Sequence, residues 1–472
     1  MMASRHLTAA VGVVLGLVPL GLPTASAQAP AGALEVACDV VVRPGGDPVG
    51  AVRAAATGET ICLRPGTYRI SRPLEPRRDQ TITGPGAVLD GSRVLRGFTR
   101  TRDGWVVRGQ RQEGERTGTC LEERPECSRP DDVLRDGVPL RRVLARSDLG
   151  PGSYWFDYRH DAVHLGGDPR GTRIEGLVSP AAVLARPHAT GVTVHGITAQ
   201  HFATPAQRGA VRASAPGWRI EDVTVQDNHG AGITTEGGAT VLDSTVRRNG
   251  QLGIGGTGDD TRVVGTVIAR NGGGGYDPAW EAGGAKWAVT DGLRVLRNRV
   301  VRNAGPGLWT DIDAQDTVYR GNEVHDNAWM GIFHEISADA VIADNDVTGN
   351  GHGFPAWLWG SGILLAGSHD VQVTGNRLAG NAEGIGMIQQ DRGTSDVDGT
   401  PRRLHDVRIA DNTVAMAEGE SGMVADDGRD EIFDDPTITW SGNRWSQRAP
   451  APFMWDDEYL TLEQWRALGH DR

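Results

Sequence analysis

Three successive phrases decide the fold: Leu293-Arg-Val-Leu-Arg-Asn298-Arg-Val-Val-Arg-Asn303, Thr317-Val-Tyr-Arg-Gly-Asn322-Glu-Val-His-Asp-Asn327 and Ala340-Val-Ile-Ala-Asp-Asn345-Asp-Val-Thr-Gly-Asn350. Apolar residues alternate two apart, the period of a strand, and an asparagine closes each short run. Working outward, the same phrasing ends at Asn228, Asn249 and Asn271 on one side and at Asn376 and Asn381 on the other, then continues to Asn412 and Asn443. Where nothing is inserted the steps are 21, 22, 24 and 23 residues. That period, with β-branched alternation, means one solenoid coil per repeat. The Leu-x-x-Leu-x-Leu skeleton of leucine-rich repeats is missing, and residues 190–445 carry no long helical pattern. The expected fold is all-β: a right-handed parallel β-helix, a single-stranded solenoid. Stacked asparagine amides hydrogen-bond from coil to coil, which satisfies polar groups that the bends bury. A glycine-apolar pair follows the second asparagine in Gly232-Ile233, Gly253-Ile254, Gly307-Leu308, Gly331-Ile332 and Gly362-Ile363.

The rest of the chain fits around this array. The chain has 66 glycines in 472 residues, about twice the usual share, without a collagen period. A net charge of -12 with dispersed acids argues against a nucleic-acid partner. Residues 1–27 read as a signal peptide: Arg5, an apolar run from Leu7 to Leu22, then Ala25-Ser26-Ala27. The mature protein is expected to be secreted and free of the membrane. Export makes disulfides available to Cys38, Cys62, Cys120 and Cys127. Four cysteines allow three connectivities, and proximity favours Cys38–Cys62 and Cys120–Cys127. Residues 28–96 are expected to hold a cap, with a short helix within Asp47–Ala56, and the first coils. Residues 97–175 break the period and read as an inserted β module. The β-helix proper is assigned to 176–446. A tail at 447–472 carries a short helix, Thr461–Leu468, with Leu462, Trp465 and Leu468 on its covered face.

Two glycine-apolar phrases differ from the others, Gly307-Leu-Trp-Thr-Asp311 and Gly331-Ile-Phe-His-Glu335. Each places an acid four residues after the glycine, and the acids lie one coil apart. If Leu308 and Ile332 point inward, alternation turns Trp309, Phe333, Asp311 and Glu335 outward. Two stacked carboxylates repel, which is unattractive as mere surface. Retaining glycosidases, however, need two carboxyls about 5–5.5 Å apart, and adjacent coils supply that spacing.

The segment from Gly307 to Ser337 resembles the catalytic coils of the β-helical β-xylosidases of glycoside hydrolase family 120. The inserted module, with Tyr154-Trp-Phe-Asp-Tyr158 and Leu165-Gly-Gly-Asp-Pro169, looks similar to that group as well. The resemblance implies Asp311 as nucleophile and Glu335 as acid/base. Asp313, and Ile336-Ser337 after the glutamate, depart from the xylosidase pattern and leave the sugar open.

Around the acids, Lys286, Trp309, Phe333, Asp313, Glu281, Trp280, His334 and Trp357 are expected to contact a carbohydrate substrate. Lys286 is the only lysine among 48 basic residues. It stands twelve residues before Asn298, near the offsets of eleven and ten that place Asp311 and Glu335. A compact ammonium there suits a hydrogen bond to substrate or an effect on Asp311. The loops Gly272–Gly284 and Gly351–Gly360 flank the acids in sequence, and their tryptophans suit sugar rings. No redox or nucleotide cofactor and no resident metal are expected, and Gly272–Gly275 before Tyr276-Asp277-Pro278 reads as a loop rather than a helix start. Two other classes stay open: a Ca²⁺-dependent polysaccharide lyase using Asp311, Asp313 and Glu335 as ligands, with Lys286 or an arginine as base, and a non-catalytic carbohydrate-binding solenoid. Nothing in the sequence sets the oligomeric state.

Overall fold

The repeat phrases wind into coils of three short strands, one strand on each of three faces. Arg294–Leu296, Arg299–Val301 and Leu308–Asp311 make one coil, and Thr317–Arg320 begins the next. The structure, a computed structural model, describes residues 37–472 except 398, 449 and 451. The expected signal peptide therefore lies outside the described residues. Among those residues, the three faces are parallel sheets of 13, 12 and 12 strands, and one strand of the third is an antiparallel addition at its end. Cys38–Arg472 is one compact unit.

Alternation explains the interior. In register, Val194, Ile220, Val241, Val263, Val295, Tyr319, Ile342, Val373, Ile409 and Trp440 form one inward column, all of it buried. The asparagines form two further columns. Asn228, Asn249, Asn271, Asn303, Asn327, Asn350 and Asn381 pass Nδ2–H to the next Oδ1 at 2.8–3.0 Å. Asn298, Asn322, Asn345, Asn376, Asn412 and Asn443 do likewise, and Asn443 donates to the carboxylate of Asp471 at 2.9 Å. Just before this second column the bend requires positive φ: Gly321 (65°), Asp344 (56°), Gly375 (66°) and Asp411 (57°). Glycine adopts that region freely, and aspartate is among the few others that tolerate it.

Both ends are covered. The helix Pro48–Ala54, capped by Asp47, buries Val52 in the core. The helix Leu462–Ala467, with a Thr461/Gln464 capping box, buries Trp465 against Phe453 at 4.5 Å. Leu468 does not share that covered face. The helix stops at Ala467, and Leu468, past its last turn, is exposed. Disulfides join Cys38 to Cys62 and Cys120 to Cys127.

The chain leaves the coils after Ala87–Asp90 and rejoins them at Val183–Leu184, with Thr193–His195 lying directly beside Thr81–Thr83. Between them lie a four-stranded and a five-stranded sheet, both mainly antiparallel. Ser92–Val94, which the sequence reading placed among the first coils, pairs antiparallel with Ile174–Leu177 and so belongs to these sheets. Arg69 ties them to the coils through Asp90 and the buried Glu175.

Candidate active site

The third face carries the acids. Leu308, Trp309 and Thr310 pair in register with Ile332, Phe333 and His334, so Asp311 and Glu335 follow on neighbouring coils, about one strand spacing of 4.8 Å apart. Leu308 and Ile332 lie in the coil interior, while Trp309 and Phe333 belong to a second apolar cluster outside it.

Each acid meets a cation. Lys286 aligns with Trp309, two residues before the acid column. Its ammonium lies 3.6 Å from the centroid of the Trp309 ring and reaches Asp311 Oδ2 at 2.8 Å. The Asp311 Oδ1 accepts the Ile312 amide at 2.8 Å. Glu335 Oε2 accepts Trp309 Nε1–H at 3.1 Å, and its Oε1 accepts an Arg392 guanidinium N–H at 2.7 Å. Burial, then the negative charge of Asp311, push the Glu335 carboxyl above its ordinary range, against the opposing pull of Arg392 and Lys286. The two carboxyls thus sit in unlike environments, Glu335 raised by burial and its neighbour and Asp311 ion-paired with Lys286.

The other expected contacts divide. Trp309 and Phe333 stack at 5.5 Å but are buried, so they are not open platforms for a sugar. Met330, Leu358 and Leu364 pack against them, and Trp359 meets the edge of Phe333 at 6.0 Å. Trp357 is half-buried at the margin of this cluster. His334 must be corrected: it points into the coil, fully buried, with Nδ1 against Thr310 Oγ1 at 2.7 Å. The alternation that turns Phe333 and Glu335 outward turns His334 inward, and burial depresses it to about 3. Asp313 is also no free contact. Arg402 holds both its oxygens, and the Asp396 amide donates to one. Burial would raise Asp313, but these bonds outweigh it and hold the carboxyl low. Trp280 reaches the site through its carbonyl, which accepts from Lys286 at 3.4 Å, while its ring packs beside Tyr276. Glu281 accepts from Gln207 at 2.8 Å and is raised by burial, with Lys286 opposing. The run after Gly275 is a helix start after all. Asp277 caps a single turn, Pro278–Glu281, because a proline fits the first helical position.

Three residues at the site escaped the sequence reading. Arg392 and Arg402 lie on a strap, residues 390–403, that follows no repeat. Glu383 directly precedes a glycine-apolar pair, Gly384-Ile385, which was the available signal. It is buried and accepts the Leu358 and Gly360 amides at 3.2 and 2.7 Å, fastening the loop that covers the aromatic pair.

Burial raises Glu383 to about 7, the neighbouring Glu420 adding to it. The folded chain therefore keeps a proton that the unfolded chain releases near 4.5. The resulting stability is fully present below that pH and is lost as pH rises through about 7. We expect urea unfolding to show about 3 kcal/mol less pH dependence between about pH 5 and pH 8 in Glu383→Gln than in the parent. An unchanged slope would contradict this.

Asp311, Asp313 and Glu335 are each paired with a cation: Lys286, Arg402 and Arg392 respectively. Elsewhere, His369, Asp370 and His405 bring ligand atoms within 4.8 Å of one another, the two rings stack with planes 8° apart, and each Nδ1 pairs with the following aspartate. A cleft of about 360 Å³ lies between the inserted sheets and the coils, lined by Arg141, His229, Arg248 and Arg270, and another of about 170 Å³ is lined by Asp313, Ser337 and Arg402. Neither includes Asp311 or Glu335, whose side chains are each 8% exposed.

Comparison with known proteins establishes a class of architecture: the family described as right-handed β-helix region matches residues 209–378, the stretch bearing both acids. Together with the parallel sheets, this makes the chain a right-handed parallel β-helix. Among solved structures, XylC in complex with xylose is similar at 16% identity and TM-score 0.53, covering 79% of this chain and 72% of that one. The A-module of the mannuronan C-5 epimerase AlgE6 from Azotobacter vinelandii follows at 15% identity and TM-score 0.49, covering 84% of this chain and 88% of that one. A glycoside hydrolase matches at 10% identity and TM-score 0.43, covering 88% of this chain and 91% of that one. These are likenesses of fold. No curated protein matches the sequence.

Proposed function

We propose that this chain is a secreted glycoside hydrolase that cleaves with retention of configuration, with Asp311 as nucleophile and Glu335 as acid/base. The observation that carries the reading is the pair of outward carboxyls in register on adjacent coils, one ion-paired with Lys286 and one raised by burial and its neighbour. Glu335 gives its proton to the leaving oxygen while Asp311 attacks the anomeric carbon. The resulting glycosyl ester is then opened by a water that Glu335 deprotonates. Lys286 and the Ile312 amide hold Asp311 in place, and Trp309 Nε1–H orients Glu335. The two disulfides suit an oxidising compartment and support export. XylC shares the fold, and the sugar in its complex makes xylosides the first compounds to try.

The test is stereochemical. Proton NMR of the first product formed by the native protein should show the anomeric configuration of the substrate, because a gap of about 5 Å between carboxyls leaves no room for a water. An inverted first product would overturn the assignment. Unsaturated products absorbing near 235 nm would do so in favour of a lyase.

A further inference from the structure

The bend that follows the third face is left-handed in each coil around the acids. Ala288 pairs with Asp311, and Glu335 with Ala366, so the residues just after them form one column: Val289, Ile312, Ile336 and Gly367. Gly258 precedes them, bonded to Val289 from the earlier coil. From Gly258 to Gly367 the φ values are 80°, 52°, 49°, 38° and 53°. Glycine takes that region freely, whereas a β-branched side chain is poorly suited to it. Elsewhere in the chain the non-glycine residues at such bends are mostly aspartates. Among the described residues, Val289, Ile312 and Ile336 are the only β-branched ones, and they stand on three consecutive coils, directly after Ala288 and the two acids.

Packing accounts for Ile336, which is 5% exposed, but not for its neighbours. Val289 and Ile312 are 54% and 39% exposed, so they carry the cost of the bend with much of the gain from burial missing. Strain of this kind persists where function requires the side chain. Their place indicates which function. Ile312 follows Asp311 and donates its amide N–H to Asp311 Oδ1 at 2.8 Å, and the Val289 amide donates to the Ile312 carbonyl at 2.9 Å. One strand spacing of about 4.8 Å apart, the two side chains form an apolar ridge that starts beside Asp311 and runs away from Glu335.

We propose that Val289 and Ile312 are a substrate-contact ridge, against which a neutral sugar unit seated on Asp311 lays its C–H face. The proposal rests on the hydrolase reading and adds how the substrate is held at the nucleophile. Joining the C–H groups of a sugar ring to two branched aliphatic chains removes both surfaces from water. The contact involves no charge and no hydrogen bond, so substrate and transition state share it, and it lowers KM rather than raising kcat. One requirement then explains both the strain and the exposure: a branched chain is kept where the fold alone would be served by glycine.

The experiment replaces each residue by glycine in the full chain and reads stability and kinetics separately, by urea unfolding and on a panel of nitrophenyl glycosides. Val289→Gly and Ile312→Gly should unfold near the parent's urea midpoint, relief at the bend offsetting the lost burial. Each should raise KM about tenfold, the worth of roughly two methylenes of contact, with kcat little changed. Ile312→Asn, which also tolerates the bend, should raise KM similarly, whereas Val289→Ile should keep the parent value. An unchanged KM in both glycine variants overturns the proposal. A marked fall in their urea midpoint does so too, since the branched chains would then serve the fold, as does a loss confined to kcat. Failure of the hydrolase reading looks different: variants of Asp311 and Glu335 would then stay as active as the parent.

Discussion

Asp311→Ala is expected to turn over glycosides at least about 10⁴-fold more slowly than the parent chain, since a lost nucleophile removes the covalent step that the other groups serve. Lys286 would then face an empty space beside Trp309, its ammonium still 3.6 Å from the ring centroid. A small anion such as azide fits the chemistry of that space, being attracted by the uncompensated charge. With an activated aryl glycoside, azide should restore turnover and yield a glycosyl azide of inverted configuration, because one displacement replaces two. Product analysis by NMR reads this directly. A retained glycosyl azide, or undiminished activity without azide, would remove Asp311 from the reaction.

Glu335→Gln tests the other half. The amide keeps the shape and the bond from Trp309 but has no proton to give. Glycosides with poor leaving groups should slow by about 10²–10⁴-fold, whereas activated aryl glycosides should be largely spared in the first step. The pH profile adds a separate check. Burial and Asp311 raise Glu335, so the parent should lose kcat/KM as pH rises through that raised value. In Glu335→Gln the alkaline limb should disappear. A limb that persists belongs to a different group.

What the sequence made legible follows from which interactions are local. The asparagine columns repeat at the coil period, so Asn322 and Asn345 announce both the fold and its register. Asp311 and Glu335 share an offset from a glycine, which places them side by side before any coordinates exist. Lys286, counted from Asn298 to within one or two residues of the acid column, lies beside Trp309, two residues before Asp311. His334 was readable and misread: a period of two turns it inward as firmly as it turns Glu335 outward. Arg392 and Arg402 lie in no repeat, and their contacts with Glu335 and Asp313 span 57 and 89 residues. Likewise, Trp309 and Phe333 are covered by a loop whose path no periodicity describes. Local pattern reveals the scaffold, whereas closure of the site depends on distant segments.

The asparagine column that ends at Asp471 has a direction. Every amide in it hands a proton donor toward the later coil, so the last one presents Nδ2–H and a backbone N–H with nothing further to receive them. Asp471 accepts both with one oxygen and takes the indole N–H groups of Trp445 and Trp465 with the other. A carboxylate is the fitting stop for such a chain, being an acceptor with no donor to pass on. Duplication of a coil in mid-array preserves the sequence of hand-offs and lengthens the solenoid at little cost. A coil added at this end must first displace the stop, together with the tryptophans that it holds. The array can therefore grow by internal duplication more readily than by extension past Asn443.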